Sequence, residues 1–428
     1  MVDIADAFAR IPKIFTFFWG SMHTSSDPNS PDSISRTAKV PAFVLPIIVL
    51  SQFCGTSLWF ASNGVLGDLT ATFQLAPSAL GHLTSAVQFG FISGTLVFAL
   101  LTLADRFPPS RVFFWSALLG ALANLGMVWE GNTLTTLLVL RYLTGFFLAG
   151  IYPVGMKIAS DYYRKGLGTS LGYLVGALVL GTAFPHLLNI GSLDISWKLI
   201  VLITSILATL GGVVIWILPD GPFRRPMQKP ELKAFFLVFH NRAFRTSAFG
   251  YFGHMWELYT FWAFVPLLLK SFQELHPEME VSIPLWSFVI IGAGGPACVM
   301  GGYLSRQMGI KRVAAGFLVL SGLCCLLAPW MYSMPAGFFL LFLLFWGMVV
   351  IADSPLFSTL VAHNATEERK GTALTIVTSI GFAITIVSIE TLGFLQKLTD
   401  SPMAYLLLAI GPLFGLISLL REPGDSTS

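Results

Sequence analysis

Charge is scarce in this chain of 428 residues. Asp, Glu, Lys and Arg make up 11% of it, against about a quarter in an average soluble domain. Hydrophobic residues reach 55% and mean hydropathy is +0.75, so a water-soluble fold is excluded. The net charge of +3 implies no nucleic-acid partner, because the basic residues sit in short loops between apolar stretches. Cysteine is scarce too. Cys54, Cys298, Cys324 and Cys325 all lie inside apolar segments, without the spacing of a disulfide framework or metal site, and read as small buried hydrophobes. No nucleotide-binding loop is visible, which removes ATP drive within the chain. No hydrolytic constellation or cofactor motif is visible either, so an enzyme is not expected, nor any cofactor or resident metal. A cleavable leader is also missing: Asp3 and Asp6 come first, and the apolar run Ile14–Trp19 is too short.

What is present is a repeat. Leu101-Thr-Leu-Ala-Asp105-Arg106-Phe-Pro-Pro-Ser-Arg111 is answered by Gly302-Tyr-Leu-Ser-Arg306-Gln-Met-Gly309-Ile-Lys311-Arg312. Gly145 and Pro153 recur as Gly347 and Pro355, both at an offset of 202. Arg164-Lys165-Gly166 recurs as Arg369-Lys370-Gly371. An ordered set of matches at near-constant offset implies two structurally equivalent halves, the usual frame of a transporter with its site between them.

Twelve apolar segments of spanning length can be placed, roughly at 42–66, 79–103, 112–129, 134–158, 167–190, 196–218, 244–269, 283–306, 312–331, 336–361, 371–394 and 403–420. They are numbered spans 1 to 12. The expected fold is an all-α membrane protein of twelve transmembrane helices in two pseudo-symmetric six-helix bundles. Residues 1–40 form an N-terminal arm, with a short amphipathic helix over 2–18 suited to the membrane surface and a Ser-, Pro- and Asp-rich tether over 23–36. Bundles over 41–218 and 243–421 flank a polar linker, 219–242, which has room for a surface helix from Glu231 to His240. A tail, 422–428, follows. Of the 25 Lys and Arg, 21 fall on one side if both termini are cytoplasmic; Lys198, Lys270 and Lys397 are external and Arg141 is inside a span. The positive-inside rule therefore predicts cytoplasmic termini.

Two six-span halves, a basic central linker and the repeated loop after spans 2 and 8 resemble the major facilitator superfamily across about residues 40–421. The family's loop motif is Gly-x-Leu-Ala-Asp-Arg-x-Gly-Arg-Lys-Arg. The first copy keeps Leu103, Ala104, Asp105, Arg106 and Arg111 but has Pro108 and Pro109 where Gly and Arg belong. The second keeps Gly302, Leu304, Gly309, Lys311 and Arg312 but has Arg306 in place of Asp. The resemblance implies alternating access and a gating role for these loops. Asp105 can pair with a basic residue or helix N-terminus of its own half and lock one state; the alternative is a solvated loop charge.

The resemblance also implies that spans 1, 4, 7 and 10 line a central cavity. Arg141 in span 4 looks like the family's Arg-x-x-x-Gly pattern of proton-linked members, with Gly145 completing it. A buried Arg marks a pathway; it would bind a substrate anion, modulate a proton-carrying carboxylate, or else snorkel to water. In span 7, His254 and Glu257 are three residues apart and share a helix face. They are the first candidates for proton coupling, or else a structural pair bracing a helix break at Gly250 and Gly253. Asp353, just before Pro355 in span 10, is a proton carrier or cation partner, or a charge near the cytoplasmic end that reaches water. Gln52, Trp59 and Asn63 of span 1, Tyr259 and Trp262 of span 7 and Trp346 of span 10 complete the candidate cavity. Gly168, Gly172 and Gly176 in span 5 form a packing stripe.

The expected function is secondary active transport of a small polar or organic solute, organic anions included, with protons as coupling ion, in the plasma (inner) membrane and as a monomer among lipid. The nitrate-transporting branch is not reached, because spans 2 and 8 lack its arginines, and span 5 lacks the Gly-Pro element of drug exporters. Alternatives are a non-transporting sensor or receptor of the same fold, and a proton-linked exporter of amphiphiles or metal. The metal option is weak, because only Met255 stands near His254 and Glu257.

Overall fold

In the absence of water at membrane depth, every backbone N–H and C=O must be satisfied within the segment that carries it. The computed structural model accordingly shows helices and no strand among its described residues, which are 40–76, 78–163, 167–190, 195–224, 238–278, 281–365, 370–399 and 401–420. The expected amphipathic helix and tether of the N-terminal arm lie outside these residues. So do Arg164-Lys165-Gly166, Arg369, most of the linker and the tail. From Val40 onward the chain is one unit.

Ten helices are long and apolar enough to cross a membrane by length and composition. The other two of the twelve spans are spans 1 and 7. Span 1 is broken into Val44–Thr56 and Ala61–Gly64. Span 7, Arg242–Leu275, is a single helix of 34 residues that carries His254 and Glu257. Helix starts are set by side chains that satisfy orphan N–H groups: Thr133 and Thr136 form a capping box at span 4, Ser196 caps span 6 and Asn241 caps span 7.

The repeat is visible as packing. Span 4 (Leu134–Leu148 and Tyr152–Tyr162) lies along span 2 (Ala79–Leu100), and a Cβ on Gly145 would collide with the Val87 carbonyl of span 2. Span 10 (Ala336–Ala352 and Ser354–Asn364) lies along span 8, and a Cβ on Gly347 would collide with the Ile290 carbonyl. Glycine at both positions lets two backbones approach within contact. Both helices are interrupted at equivalent places, just before Pro153 and Pro355, because proline supplies no N–H to the carbonyl four residues back. In span 10 that orphan is the carbonyl of Ile351, and the Cys298 thiol of span 8 donates to it at 3.5 Å.

The bundles meet along two seams. Span 2 runs beside span 11 (Lys370–Thr399), and span 5 (Leu167–Leu188) beside span 8 (Ile283–Gly292 and Gly294–Met308). On the second seam the glycine stripe faces small residues. A Cβ on Gly176 would stand 3.0 Å from the Gly295 carbonyl, and one on Gly172 would stand 3.5 Å from that of Cys298. The end of the molecule that carries Asp105, Lys157 and Arg224 is called the basic face below. On the opposite face Lys198 donates to Glu130 at 2.6 Å; that hydrogen bond, then the charge itself, holds the Glu130 carboxyl below its usual range.

Candidate substrate and proton site

At the break in span 1 a buried cation takes two backbone carbonyls. Arg141 is 0% exposed. Its Nη1 donates to the Leu58 carbonyl at 3.1 Å and to Asn124 Oδ1 at 3.2 Å, and its Nη2 donates to the Trp59 carbonyl. The Asn124 amide, on span 3, donates in turn to Val201 O, Thr204 Oγ1 and Ser205 Oγ of span 6. Arg141 therefore does not snorkel. It pins the unwound residues of span 1, which a planar fork with several donors can do and an ammonium cannot.

The other bundle holds a counterpart of opposite sign. Glu257 of span 7 accepts from Trp346 Nε1 of span 10 at 2.6 Å and from Ser321 Oγ of span 9 at 2.9 Å. The proximity of His254 and Glu257 in sequence does not make them partners: His254 Nδ1 lies 2.8 Å from Asp353 Oδ1, at the break in span 10. Side-chain exposure is 1% for His254 and 0% for Asp353, so Asp353 does not reach water. Three residues of helix decide this, because His254 lies toward the Phe357 side of span 10 while Glu257, about one turn on, meets Trp346. Nor is span 7 broken at its glycines. The helix is continuous, and Gly253 lets span 7 approach Gly411 and Gly415 of span 12 while Gly250 accommodates the Phe357 ring.

Between these two ionic clusters the bundles touch through aromatic rings. Trp59 lies 4.9 Å from Phe91 in its own bundle, and 5.6 Å and 5.5 Å from Tyr259 and Phe382 of the other, the last nearly parallel at 26°. Tyr259 is 5.3 Å from Trp262, which meets Phe60 edge-on. All six rings are buried. Among the expected cavity residues, Trp59, Tyr259 and Trp262 come together here. Asn63 is committed within its own bundle to Thr84 Oγ1 at 3.0 Å, Gln52 lies against Gly155 of span 4, and Trp346 is occupied by Glu257. Phe91 and Phe382 were not found by sequence reasoning, because nothing marks an inward Phe among 37 in apolar helices. Several buried polar atoms of this zone have no hydrogen-bond partner in the protein: the indole N–H groups of Trp59 and Trp262, both amide atoms of Gln88 on span 2, and His254 Nε2.

The two bundles with an aromatic cluster between them have known counterparts. The sequence model of the Major Facilitator Superfamily matches residues 48–389. The chain belongs to that superfamily. It is 24% identical over 357 residues to the niacin transporter NiaP of Acinetobacter baylyi, covering 69% of this chain and 75% of that one. It is 24% identical over 270 residues to the 3-(3-hydroxy-phenyl)propionate transporter of Escherichia coli, covering 61% and 64% respectively. Among solved structures it is similar to the proton:xylose symporter XylE, with a TM-score of 0.69 at 14% identity over 88% of this chain and 95% of that one. It is likewise similar to FucP in its outward conformation, with a TM-score of 0.64 at 14% identity over 89% and 98%. This superfamily member is a multi-pass membrane transporter of solutes, not an enzyme.

The superfamily loop after span 2 is tied into its own bundle. Lys157 of span 4 lies 3.2 Å from Asp105 Oδ1 and 3.3 Å from Asp161. Arg224, at the start of the linker, donates to the carbonyls of Asp105 and Phe107, each at 3.0 Å. Arg106 is exposed, and the Arg111 guanidinium lies 5.9 Å from the Trp216 ring. The second loop behaves differently, as its Asp-to-Arg exchange requires. Arg306 lies over Tyr303 at 5.3 Å and crosses the seam to donate to Thr169 Oγ1 of span 5. Lys311 is partly buried and Arg312 exposed. At the far end of the other seam, Ser85 of span 2 donates to Glu390 of span 11 at 2.7 Å, with His82 Nδ1 3.5 Å away.

Proposed function

We propose that this transporter is proton-coupled and carries a small polar or organic solute by alternating access, with the solute held at the aromatic junction and the proton exchanged at His254–Asp353. The observation that carries the reading is the buried His254–Asp353 pair at the interruption of span 10. A carboxylate and an imidazole at 2.8 Å can share or release one proton, and the helix interruption gives that bundle a place to change shape as the charge changes. Intramembrane ionisable groups are costly and face a partner or pathway by default. Glu257 is a second proton-holding group, bridged to span 10 by Trp346. Arg141 sets the shape of span 1 on the other side of the junction.

In this reading the basic face is cytoplasmic, as the distribution of Lys and Arg favours. The membrane is the plasma (inner) membrane, and one chain with its lipid suffices. The moving bodies are the bundles 41–218 and 243–421, joined by the linker 219–242. Arg306–Thr169 on one face and Ser85–Glu390 on the other are the polar contacts exchanged as the bundles rock, and Asp105–Lys157 stiffens the first bundle at its basic end. Relatives that carry niacin and 3-(3-hydroxy-phenyl)propionate support a small organic cargo, and a proton symporter of the same fold supports the coupling ion. The test is solute uptake into proteoliposomes under an imposed pH gradient. Accumulation that collapses on adding a protonophore supports the proposal; a protein that binds solutes but carries none across is a sensor.

A further inference from the structure

We infer that the solute is a planar aryl carboxylate whose ring is sandwiched between Trp59 and Phe382 and whose carboxylate accepts from the Trp59 indole N–H, in the field of Arg141. The inference rests on the transport reading and names its substrate class.

Three observations converge. The first is the shape of the junction. Trp59 and Phe382 belong to different bundles and lie nearly parallel at 5.5 Å. When the bundles part, each loses the other's face and presents it to water. A flat ring entering the gap restores both contacts, because aromatic pairs gain from stacking beyond their buried area. A saturated ring of the same volume is puckered and restores neither well.

The second is the set of unused donors. The indole N–H groups of Trp59 and Trp262 are fully buried and have no partner in the protein. Gln88, one helical turn from Phe91 on span 2, has an unpartnered amide. Buried polar groups are hydrogen-bonded as a rule, and exceptions gathered at one junction are what a bound ligand would satisfy. Indole N–H groups only donate, so what they await is an acceptor.

The third is charge. Every acceptor that Arg141 uses is neutral: two backbone carbonyls and the Asn124 amide oxygen. A buried cation with neutral partners alone is costly, and one of those carbonyls belongs to Trp59 itself. An anion seated on the Trp59 indole lies within reach of that field, where little water screens it. The carboxylates of the second bundle face other groups, Asp353 the His254 imidazole at 2.8 Å and Glu257 the Trp346 and Ser321 donors, so they leave the cation available.

The experiment uses the purified full chain in lipid nanodiscs and measures binding of four probes by calorimetry: benzoate, nicotinate, cyclohexanecarboxylate and benzyl alcohol. Benzoate or nicotinate should bind at least about tenfold more tightly than cyclohexanecarboxylate, which keeps the charge without the flat ring, and than benzyl alcohol, which keeps the ring without the charge. Trp59→Phe should retain the stack and weaken aryl-acid binding about ten- to a hundredfold by loss of one hydrogen bond to a charged group. Phe382→Leu should reduce the preference of benzoate over cyclohexanecarboxylate while leaving the preference over benzyl alcohol. Equal binding of the flat and puckered acids to the unmodified protein overturns the inference, as does binding of none of the aryl acids. Gradient-driven uptake of an aliphatic solute instead would overturn the aryl class and leave proton-coupled transport standing. Aryl-acid binding without gradient-driven uptake would do the reverse.

Discussion

His254 pairs with Asp353 rather than with Glu257: Nδ1 of the imidazole stands 2.8 Å from the Asp353 carboxylate, and the pair joins span 7 to the interruption of span 10. Removing one member of a buried ionic pair leaves the other uncompensated, which costs about 3–5 kcal/mol. His254→Ala should therefore lower the unfolding temperature in detergent clearly more than His82→Ala, whose imidazole is 45% exposed. Equal shifts for the two variants would contradict a buried pair.

Arg141 holds two carbonyls of the span 1 break with one planar group. Arg141→Lys keeps the charge and loses the fork, so transport should fall at least about tenfold although the protein still reaches the membrane. Asn124→Ala removes one Arg141 acceptor and the amide's bonds to span 6 but leaves both carbonyls held, so its transport loss should be milder, with about 1–3 kcal/mol lost in stability. Transport by Arg141→Lys at the unmodified rate would show that the fork does not set the shape of span 1.

Gly145 and Gly347 should respond alike, because each meets a backbone carbonyl of a neighbouring span. Alanine at either position forces two helices apart and should cost about 1–3 kcal/mol. Gly337→Ala is the control, since nothing lies within 4 Å of a Cβ there. The comparison is read from the thermal unfolding of the three variants, and a destabilised Gly337→Ala with an unaffected Gly347→Ala would refute the packing.

The two seams are closed by different contacts, Ser85–Glu390 on one face and Arg306–Thr169 on the other. Such half-exposed contacts are worth about 1 kcal/mol each, enough to shift a two-state equilibrium about fivefold. Glu390→Gln should favour opening at the far face and Arg306→Gln opening at the basic face. Distances between spin labels placed at the two ends report the direction, and a shift in the same direction for both would rule out a rocking exchange.

Much of this architecture was legible in the chain. The offset between Gly145 and Gly347 located equivalent helix contacts, and the apolar runs located the spans to within a few residues. Glu257, His254, Asp353 and Arg141 stood out because charge is rare at membrane depth. Their partners did not stand out. Spacing along span 7 joined His254 to Glu257, whereas the pairing is decided by which part of span 10 faces each residue, a tertiary matter. Phe91 and Phe382 were hidden for a related reason: an inward and a lipid-facing Phe look the same in an apolar helix. The break in span 1 carries no proline between Ser57 and Phe60; its carbonyls are held by the guanidinium of another span, which local sequence does not announce.

Coupling at Asp353 is tested most directly by comparing two modes of flux in one proteoliposome preparation of Asp353→Asn. Exchange of labelled for unlabelled benzoate or nicotinate needs only rocking of the loaded protein, whereas accumulation under a pH gradient needs the proton as well. The account predicts exchange within a few-fold of the unmodified protein, about one decade at most, with gradient-driven accumulation abolished. Accumulation by Asp353→Asn equal to that of the unmodified protein would contradict it.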